Sequence, residues 1–540
     1  MPTLDWIGKK AVLNHHRVVP YHLLKCDQKL SVGDPGSGNL LVQGDNLLAL
    51  KALLPYYAGR VKCIYIDPPY NTGNENWVYN DAVNSPEIRK WLGRVVGAEA
   101  EDLSRHDKWL CMMYPRLMLL REFLRSDGAI FVSIDDGELH HLRALMDEVF
   151  GPRNFIATIV WQKKQSPQND AINLSDMHDY LVVYAKRAKQ NRDDPHGWNR
   201  NLLPREATQD ARYSNPDNDP RGPWTSADYT CNKTADERPN LFYAITHPVT
   251  REQVWPSRRR VWAFDEAGHE RNVRENRVWW GPGRRTRPRV KKFLCEVREG
   301  VVPTTWWTRE FAGDNQEARR ELRAAIADEQ LDFQTPKPAR LVKRILEIAA
   351  GKDSLVLDSF AGSGTTGHAV LGLNKADGGS RRFILVEMEE AICQTVTAQR
   401  LTRAIEGHND LPALGGGFRY CRLGPTIFDE TGNIRAGVTF GELAAHVYFA
   451  ETGEPLPKRT NGKTPLLGVH NSKAIYLLFN GVLGDRSAGG GNVLTSTVLR
   501  ALPAHSGPRI IYGEGCRLGP ARLKRERIVF KQIPYGIKVS

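Results

Sequence analysis

Short apolar runs, each closed by a polar or glycine-rich turn and followed by helical periodicity, set the pattern up to about residue 188. The clearest is Val61-Lys-Cys-Ile-Tyr-Ile66, which stops at Asp67-Pro68-Pro69-Tyr70. Upstream, Leu40-Leu-Val-Gln43 turns through Gly44-Asp45-Asn46 into Leu47–Leu54, the signature of a strand, a turn and a helix. Apolar positions recur at helical spacing from Asp107 to Leu124, and Ala129–Ile134 then reads as a strand closed by Asp135-Asp136-Gly137. Phe155–Trp161 and Tyr180–Tyr184 are further strand candidates. This alternation predicts an α/β fold with a mostly parallel sheet.

The periodicity lapses between residues 189 and 330, where Arg, Trp, Pro, Asn and Gly accumulate. Ser257-Arg-Arg-Arg260, Trp279-Trp280 and Arg284-Arg-Thr-Arg-Pro-Arg289 lie close together there. Regular punctuation returns at Pro338, with a helix over Ala339–Ala349, a strand over Ser354–Asp358, a glycine turn, a helix, and a strand over Arg382–Glu387. Past Leu423 the chain becomes glycine-rich and mixed. The expected segments are therefore 1–188, 189–330, 331–424 and 425–540.

A chain of 540 residues is too long for one compact core, and its 41% hydrophobic content excludes wholesale disorder. The formal net charge of +13 points to a polyanionic partner. The eight cysteines (Cys26, Cys63, Cys111, Cys231, Cys295, Cys393, Cys421 and Cys516) form no C-x-x-C pair. They read as reduced thiols in a cytoplasmic protein, without a structural zinc. His140, His141 and His178 read as surface or core histidines, and no metal site is expected. No run of about 18 apolar residues would span a membrane.

Two separated motifs carry the chemistry. Asp67-Pro68-Pro69-Tyr70 sits at the carboxyl end of a buried strand, where open α/β sheets bind ligands. The prolines remove two amide donors and stiffen the turn. A carboxylate beside a fixed carbonyl can accept both hydrogens of an amino group. The lone pair of an aromatic amine is delocalised into its ring, and holding the N–H bonds out of plane frees it to attack an electrophilic methyl group. Tyr70 adds a face for stacking a base, worth about 1–3 kcal/mol. The alternative is a proline-stiffened surface turn.

The second motif is Asp358-Ser-Phe360-Ala-Gly362-Ser-Gly364-Thr365-Thr366-Gly367, again strand, turn and helix. Its glycines admit close backbone approach, and the helix N-terminus favours an anion such as the carboxylate of S-adenosylmethionine. Glu387, ending the next strand, is placed to accept from two ribose hydroxyls. A nicotinamide-dinucleotide site is the rival for such a turn, but it has no use for Asp67–Tyr70.

Together these motifs resemble β-class DNA amino-methyltransferases, in which the catalytic turn precedes the cofactor turn. More closely, the chain resembles the modification subunit of type III restriction-modification systems and its stand-alone relatives. Gly44–Leu47, Tyr65–Gly73, Phe131–Asp136, Phe333–Pro338, the glycine turn and Phe530–Tyr535 carry that similarity. It implies a circularly permuted, Rossmann-like seven-stranded sheet dependent on S-adenosylmethionine, with strands ending at Ile66 and Asp358 as neighbours. It also implies a target-recognition insert over 189–330 and a C-terminal module. By the same resemblance Asp67, the Pro68 carbonyl, Pro69 and Tyr70 are catalytic. Asp358, Phe360, Gly362, Gly364, Thr365 and Glu387 line the cofactor, with Thr335, Pro336 and Lys337 beside its methionine end. Asp45 is either a contact to the cofactor's adenine or a helix N-cap.

The reaction implied is methylation of adenine N6 in duplex DNA after the base is flipped out. An initial Asp in the catalytic turn goes with adenine in this family, an initial Ser with cytosine. N4-cytosine methylation and a non-catalytic DNA-binding subunit are the alternatives. A homodimer and a separate restriction subunit are the implied partners. Gly462-Lys463-Thr464 lacks the rest of a phosphate-binding loop and is read as a plain loop.

Overall fold

The structure, a computed structural model, describes residues 4–72, 101–169, 171–205, 210–282, 286–297, 300–326, 333, 335–408, 412–458, 460–482, 485, 487 and 489–534. Gly73, Arg284, Arg285, Gln334 and Tyr535, each part of a motif above, lie outside the described residues.

The main sheet comprises β1 (His22–Gly33), β2 (Leu40–Gln43), β3 (Val61–Ile66), β4 (Leu124–Ile134), β5 (Phe155–Gln162) and β6 (His178–Ala185) from the first part of the chain. In the insert are β7 (Trp224–Asp228), β8 (Ile245–Thr246), β9 (Gln253–Val254), β10 (Val278–Trp279) and β11 (Arg289–Phe293). The main sheet is completed by β12 (Trp306–Trp307), β13 (Leu355–Asp358), β14 (Arg382–Glu387) and β15 (Gly417–Thr426). Its order is β1-β15-β2-β14-β13-β3-β4-β6-β5-β12. The β3–β13 pair is parallel, with Cys63 opposite Val356 and Ile64 opposite Leu357, as the permuted arrangement requires. These central strands are buried along nearly their whole length, which is why their sequences read as apolar runs rather than alternating ones.

Among the described residues the sheet has ten strands, because β1, β15 and β12 extend the expected seven at its two sides. The sequences of these additions hide them. In β1, the mixed run HLLKCDQKLSVG is mostly half-exposed, while β15 lies in the glycine-rich stretch and β12 is two residues long. The sheet is also less parallel than alternation suggests, because β6 pairs antiparallel with both β4 and β5. Cys26 of β1 and Cys421 of β15 face each other in register and are joined by a disulfide. The expectation that every cysteine is a free thiol is therefore corrected. Sequence spacing could not bring together two residues so far apart in the chain.

Helices at Asn46–Tyr57, Glu101–Phe123 and Asp136–Phe150 follow β2, precede β4 and follow β4 respectively. Asp45 caps the first, accepting from the amides of Leu47 and Leu48, and Asp135 caps the third through the amide of Gly137. Arg116 of the second helix is fully buried. It donates to the Asn46 side-chain oxygen and the Met112 carbonyl and lies 3.5 Å from Asp45. Asn46 in turn donates to the Ser359 carbonyl at 3.1 Å, tying this cluster to the turn after β13.

Residues 202–303 form a compact unit of their own, narrower than the expected 189–330. Within it β10, β11 and β7 form a three-stranded sheet, over a core of Tyr229, Tyr243, Ile245, Trp262, Trp280 and Val290. The remainder forms the other unit, which takes in β12 and the helix Asn315–Ala325 as well as residues 425 onward. Those last residues carry a four-stranded sheet: Leu466–His470, Lys473–Leu477, Arg509–Gly513 and Ile528–Gln532. Gly462–Thr464 lies in a bend with no helix after it. Among the described residues no helix is long and apolar enough to cross a membrane.

Arg116→Met removes the cation of a fully buried polar cluster while preserving bulk. It is expected to lower unfolding stability by about 3 kcal/mol, read from urea denaturation. A loss below about 0.5 kcal/mol would mean that the neighbouring acceptors find other donors.

Candidate functional site

The carboxyl ends of β3, β13 and β14 open on a cavity of about 630 Å³. Asp67, Pro68, Pro69 and Tyr70 line it from the end of β3; Asp358, Phe360, Gly362 and Thr365 line it from the turn after β13. Glu387 closes β14, and Thr335, Pro336 and Lys337 line the cavity from the segment before the helix Ala339–Ala349. Asp45 and Gly364 are the two expected residues that do not line it. Asp45 has the capping role instead. Gly364, at φ 74°, sets the turn into the helix Thr365–Asp377, and a Cβ there would lie 3.1 Å from the Thr397 methyl.

The turn after β3 is held at both ends. Lys337 donates from Nζ to both Asp67 carboxylate oxygens, at 2.8 and 2.7 Å, and sits 4.9 Å from the centre of the Tyr70 ring. The Trp109 indole donates to the Pro69 carbonyl at 2.7 Å. The Pro68 carbonyl has no hydrogen-bond partner among the described residues. Two hydrogen-bond acceptors, the Asp67 carboxylate and the Pro68 carbonyl, therefore belong to one tethered turn on the cavity wall.

Two buried carboxylates shape the other half. Asp358 accepts from the Phe360 amide and the Thr366 hydroxyl, yet burial pushes its carboxyl up to about 7. Glu387 accepts from the Gly362 amide at 2.7 Å and the Glu389 amide at 2.9 Å, and burial raises it to about 7 as well. Gly362 has φ 49°, a left-handed conformation natural to glycine, and a Cβ there would press on the Phe333 ring at 3.1 Å. These features fit S-adenosylmethionine: a carboxylate for vicinal hydroxyls, a glycine turn, and a helix N-terminus for an anion.

A family profile described as DNA methylase matches residues 61–399, which span both halves of this cavity. The chain belongs to the DNA methylase family. It is 35% identical over 409 residues to the type III restriction-modification enzyme StyLTI Mod subunit of Salmonella typhimurium, covering 74% of this chain and 60% of that relative. The EcoPI Mod subunit of Escherichia phage P1 is 32% identical over 445 residues, covering 74% of this chain and 65% of that protein. The type II methyltransferase M.KpnI of Klebsiella pneumoniae is 30% identical over 388 residues, 69% of this chain and 86% of that one. The chain thus spans somewhat under two thirds of the length of these type III relatives.

In this DNA methylase Lys163, Lys164, Asp176 and Asp179, which no sequence motif singled out, also line the cavity, as does Asp135 of the Phe131–Asp136 motif. Lys163 bridges Asp179 at 2.6 Å and Asp176 at 2.5 Å, and burial raises the Asp179 carboxyl. The β5–β6 register, with Gln162 opposite His178 and Trp161 opposite Asp179, creates this cluster. No motif announces it. Lys337, expected at the cofactor's methionine end, is found on Asp67.

The raised carboxyls predict a pH signature. Glu387 titrates near 4.5 when unfolded and about 7 when folded. Between those values the folded chain holds a proton the unfolded chain lacks, so stability falls as pH rises. Asp358 contributes with the same sign. The melting temperature of the cofactor-free protein is expected to decline from pH 5 to 8, and Glu387→Gln to make that decline shallower. An identical slope in both proteins would count against the burial argument.

Proposed function

We propose that the chain is a site-specific DNA methyltransferase acting on the N6 amine of adenine in duplex DNA. The observation that carries this reading is the meeting, in one cavity, of the Asp67–Tyr70 turn and the Asp358–Thr365 turn from distant parts of the chain. S-adenosylmethionine supplies an electrophilic methyl group when bound. Glu387 would hold its ribose hydroxyls, the turn from Phe360 to Thr365 would cradle its length, and Asp358 would stiffen that turn through the Phe360 amide.

Asp67 and the Pro68 carbonyl accept the two hydrogens of the target amine and direct its lone pair toward the methyl group. The Asp67 oxygens are engaged by Lys337, so the amine competes with this ammonium, and Lys337 must yield at least part of its contact. Tyr70 offers its ring to the flipped base. Extrusion excludes bulk water from the site and leaves the pairing edge of the base to be read by hydrogen bonds.

Residues 202–303 are the proposed target-recognition unit. Arg258, Arg259 and Arg260 are exposed on a turn closed by the Arg260 amide on the Ser257 carbonyl, and Trp255 is 49% exposed. Arg260 is partly neutralised by Asp228, at 2.8 Å. Trp262 and Trp280 belong to the core of this unit. A homodimer, a separate restriction subunit and a cytoplasmic location complete the proposal; the names of the type III relatives support association with a restriction system.

Methyl transfer from labelled S-adenosylmethionine to unmethylated genomic DNA, with nucleosides identified by mass, tests the reading. N6-methyladenine is expected from the wild type, with a loss of at least about a hundredfold in Asp67→Ala. N4-methylcytosine would keep the chemistry and overturn the base. Cofactor binding without label on any DNA would favour the non-catalytic DNA-binding subunit.

A further inference from the structure

Beside the catalytic turn lies a polar cluster that does not line the cavity and that the proposed reaction does not use. Asn71 follows Tyr70 directly, is buried, and holds φ at 61°. That left-handed backbone is uncommon for any residue except glycine, and asparagine tolerates it best of the rest. The Asn71 side chain donates from Nδ2 to Oε1 of Glu138. Glu138 is fully buried, in the first turn of the helix Asp136–Phe150. His106 Nδ1 lies 2.6 Å from the same carboxylate oxygen, and His141 Nδ1 lies 2.9 Å from Oε2.

A buried carboxylate without donors would be strongly destabilising. Here three side chains face it, and the helix N-terminus on which it sits favours its charge. Each histidine meets the carboxylate through Nδ1, the geometry of an imidazole N–H donating to an acceptor. His106 belongs to the helix Glu101–Phe123, which also carries Trp109, the donor to the Pro69 carbonyl. The turn is therefore tied to one helix by Trp109 and to a second by Glu138, on the two sides of Tyr70.

We infer that Glu138 is a positioning residue for methyl transfer, acting through Asn71. The bond holds Asn71 in its left-handed conformation and so fixes where the Asp67–Tyr70 turn points. His106 and His141 hold the carboxylate in place for that purpose. This rests on the reading that the turn grips the target base. It adds that the grip depends on an acceptor that touches neither base nor cofactor.

Substitutions that separate backbone from side chain test this. Asn71→Gly tolerates the observed φ while removing the side chain that bonds Glu138. It is expected to lower kcat by about 10- to 100-fold, with S-adenosylmethionine affinity within about twofold of wild type. Asn71→Asp sets carboxylate against carboxylate and is expected to lose more. Adding Glu138→Gln to Asn71→Asp restores a donor–acceptor pair of reversed polarity and is expected to recover at least about tenfold of the loss. Glu138→Gln alone, which can still accept from Asn71, stays closer to wild type than Glu138→Ala. Failure of the reversed pair to rescue, or a kcat for Asn71→Gly equal to wild type, would overturn the inference. So would one equivalent of zinc that co-purifies with the protein and is lost in His141→Ala, since these atoms would then be metal ligands. If the wild type transfers no methyl group, the proposed function fails by itself. The Asn71–Glu138 coupling is then read from unfolding free energies of the same single and double variants, where simple additivity would overturn it.

Discussion

Val356 and Leu357 pair with Cys63 and Ile64 across a long intervening stretch of chain, and the site exists only because they do. Each strand of this pair ends in a carboxylate-bearing turn, so the pairing places Asp67 and Asp358 on the rim of one cavity. A parallel pair needs a crossover rather than a hairpin, and the chain here makes that crossover very long. The insert at 202–303 sits within this connection, where it can be elaborated without disturbing the strands. Burial of the central strands then supplies the driving force that keeps the two turns together.

Legibility in the sequence followed burial. Val61–Ile66, Ser354–Asp358 and Arg382–Glu387 were readable because central strands leave uninterrupted apolar runs, and the turns that close them inherit their places from the sheet. The edge strands were not readable, because β1 alternates weakly and β12 is two residues long. The cross-strand pairing of Cys26 with Cys421 was hidden for a related reason: it follows from the register of the edge strand β1 on its neighbour β15. The wall formed by Lys163, Asp176 and Asp179 was invisible for a different one. It depends on the register of an antiparallel pair, which no single segment encodes.

Asp45 shows how one residue type supports two readings until the packing is known. A carboxylate between a strand and a helix can cap the helix or touch a ligand. Here both Leu47 and Leu48 donate to it, and Arg116 stands behind it. Its contribution to the site is indirect: the helix it starts presents Asn46, which holds the Ser359 carbonyl in the glycine turn. The turn after β13 is thus braced in part from the first half of the chain.

Lys337 gives the coupling a chemical form. It comes from the segment that leads into the cofactor half, yet its ammonium lies on the Asp67 carboxylate of the catalytic half. An isolated buried carboxylate is costly, and a paired one is much less so. The contact therefore stabilises the turn while no base is present. In the proposed reaction the target amine enters a carboxylate already engaged, so the strength of this ion pair would bear directly on how readily a flipped base is accepted. A site that held Asp67 more tightly would be more stable and less receptive. One that left it unpaired would be open to the amine but would carry an uncompensated charge beside Tyr70. The 9% exposure of the Lys337 side chain against 21% for Asp67 leaves the acid as the more accessible partner, as the proposed approach of the amine to Asp67 requires.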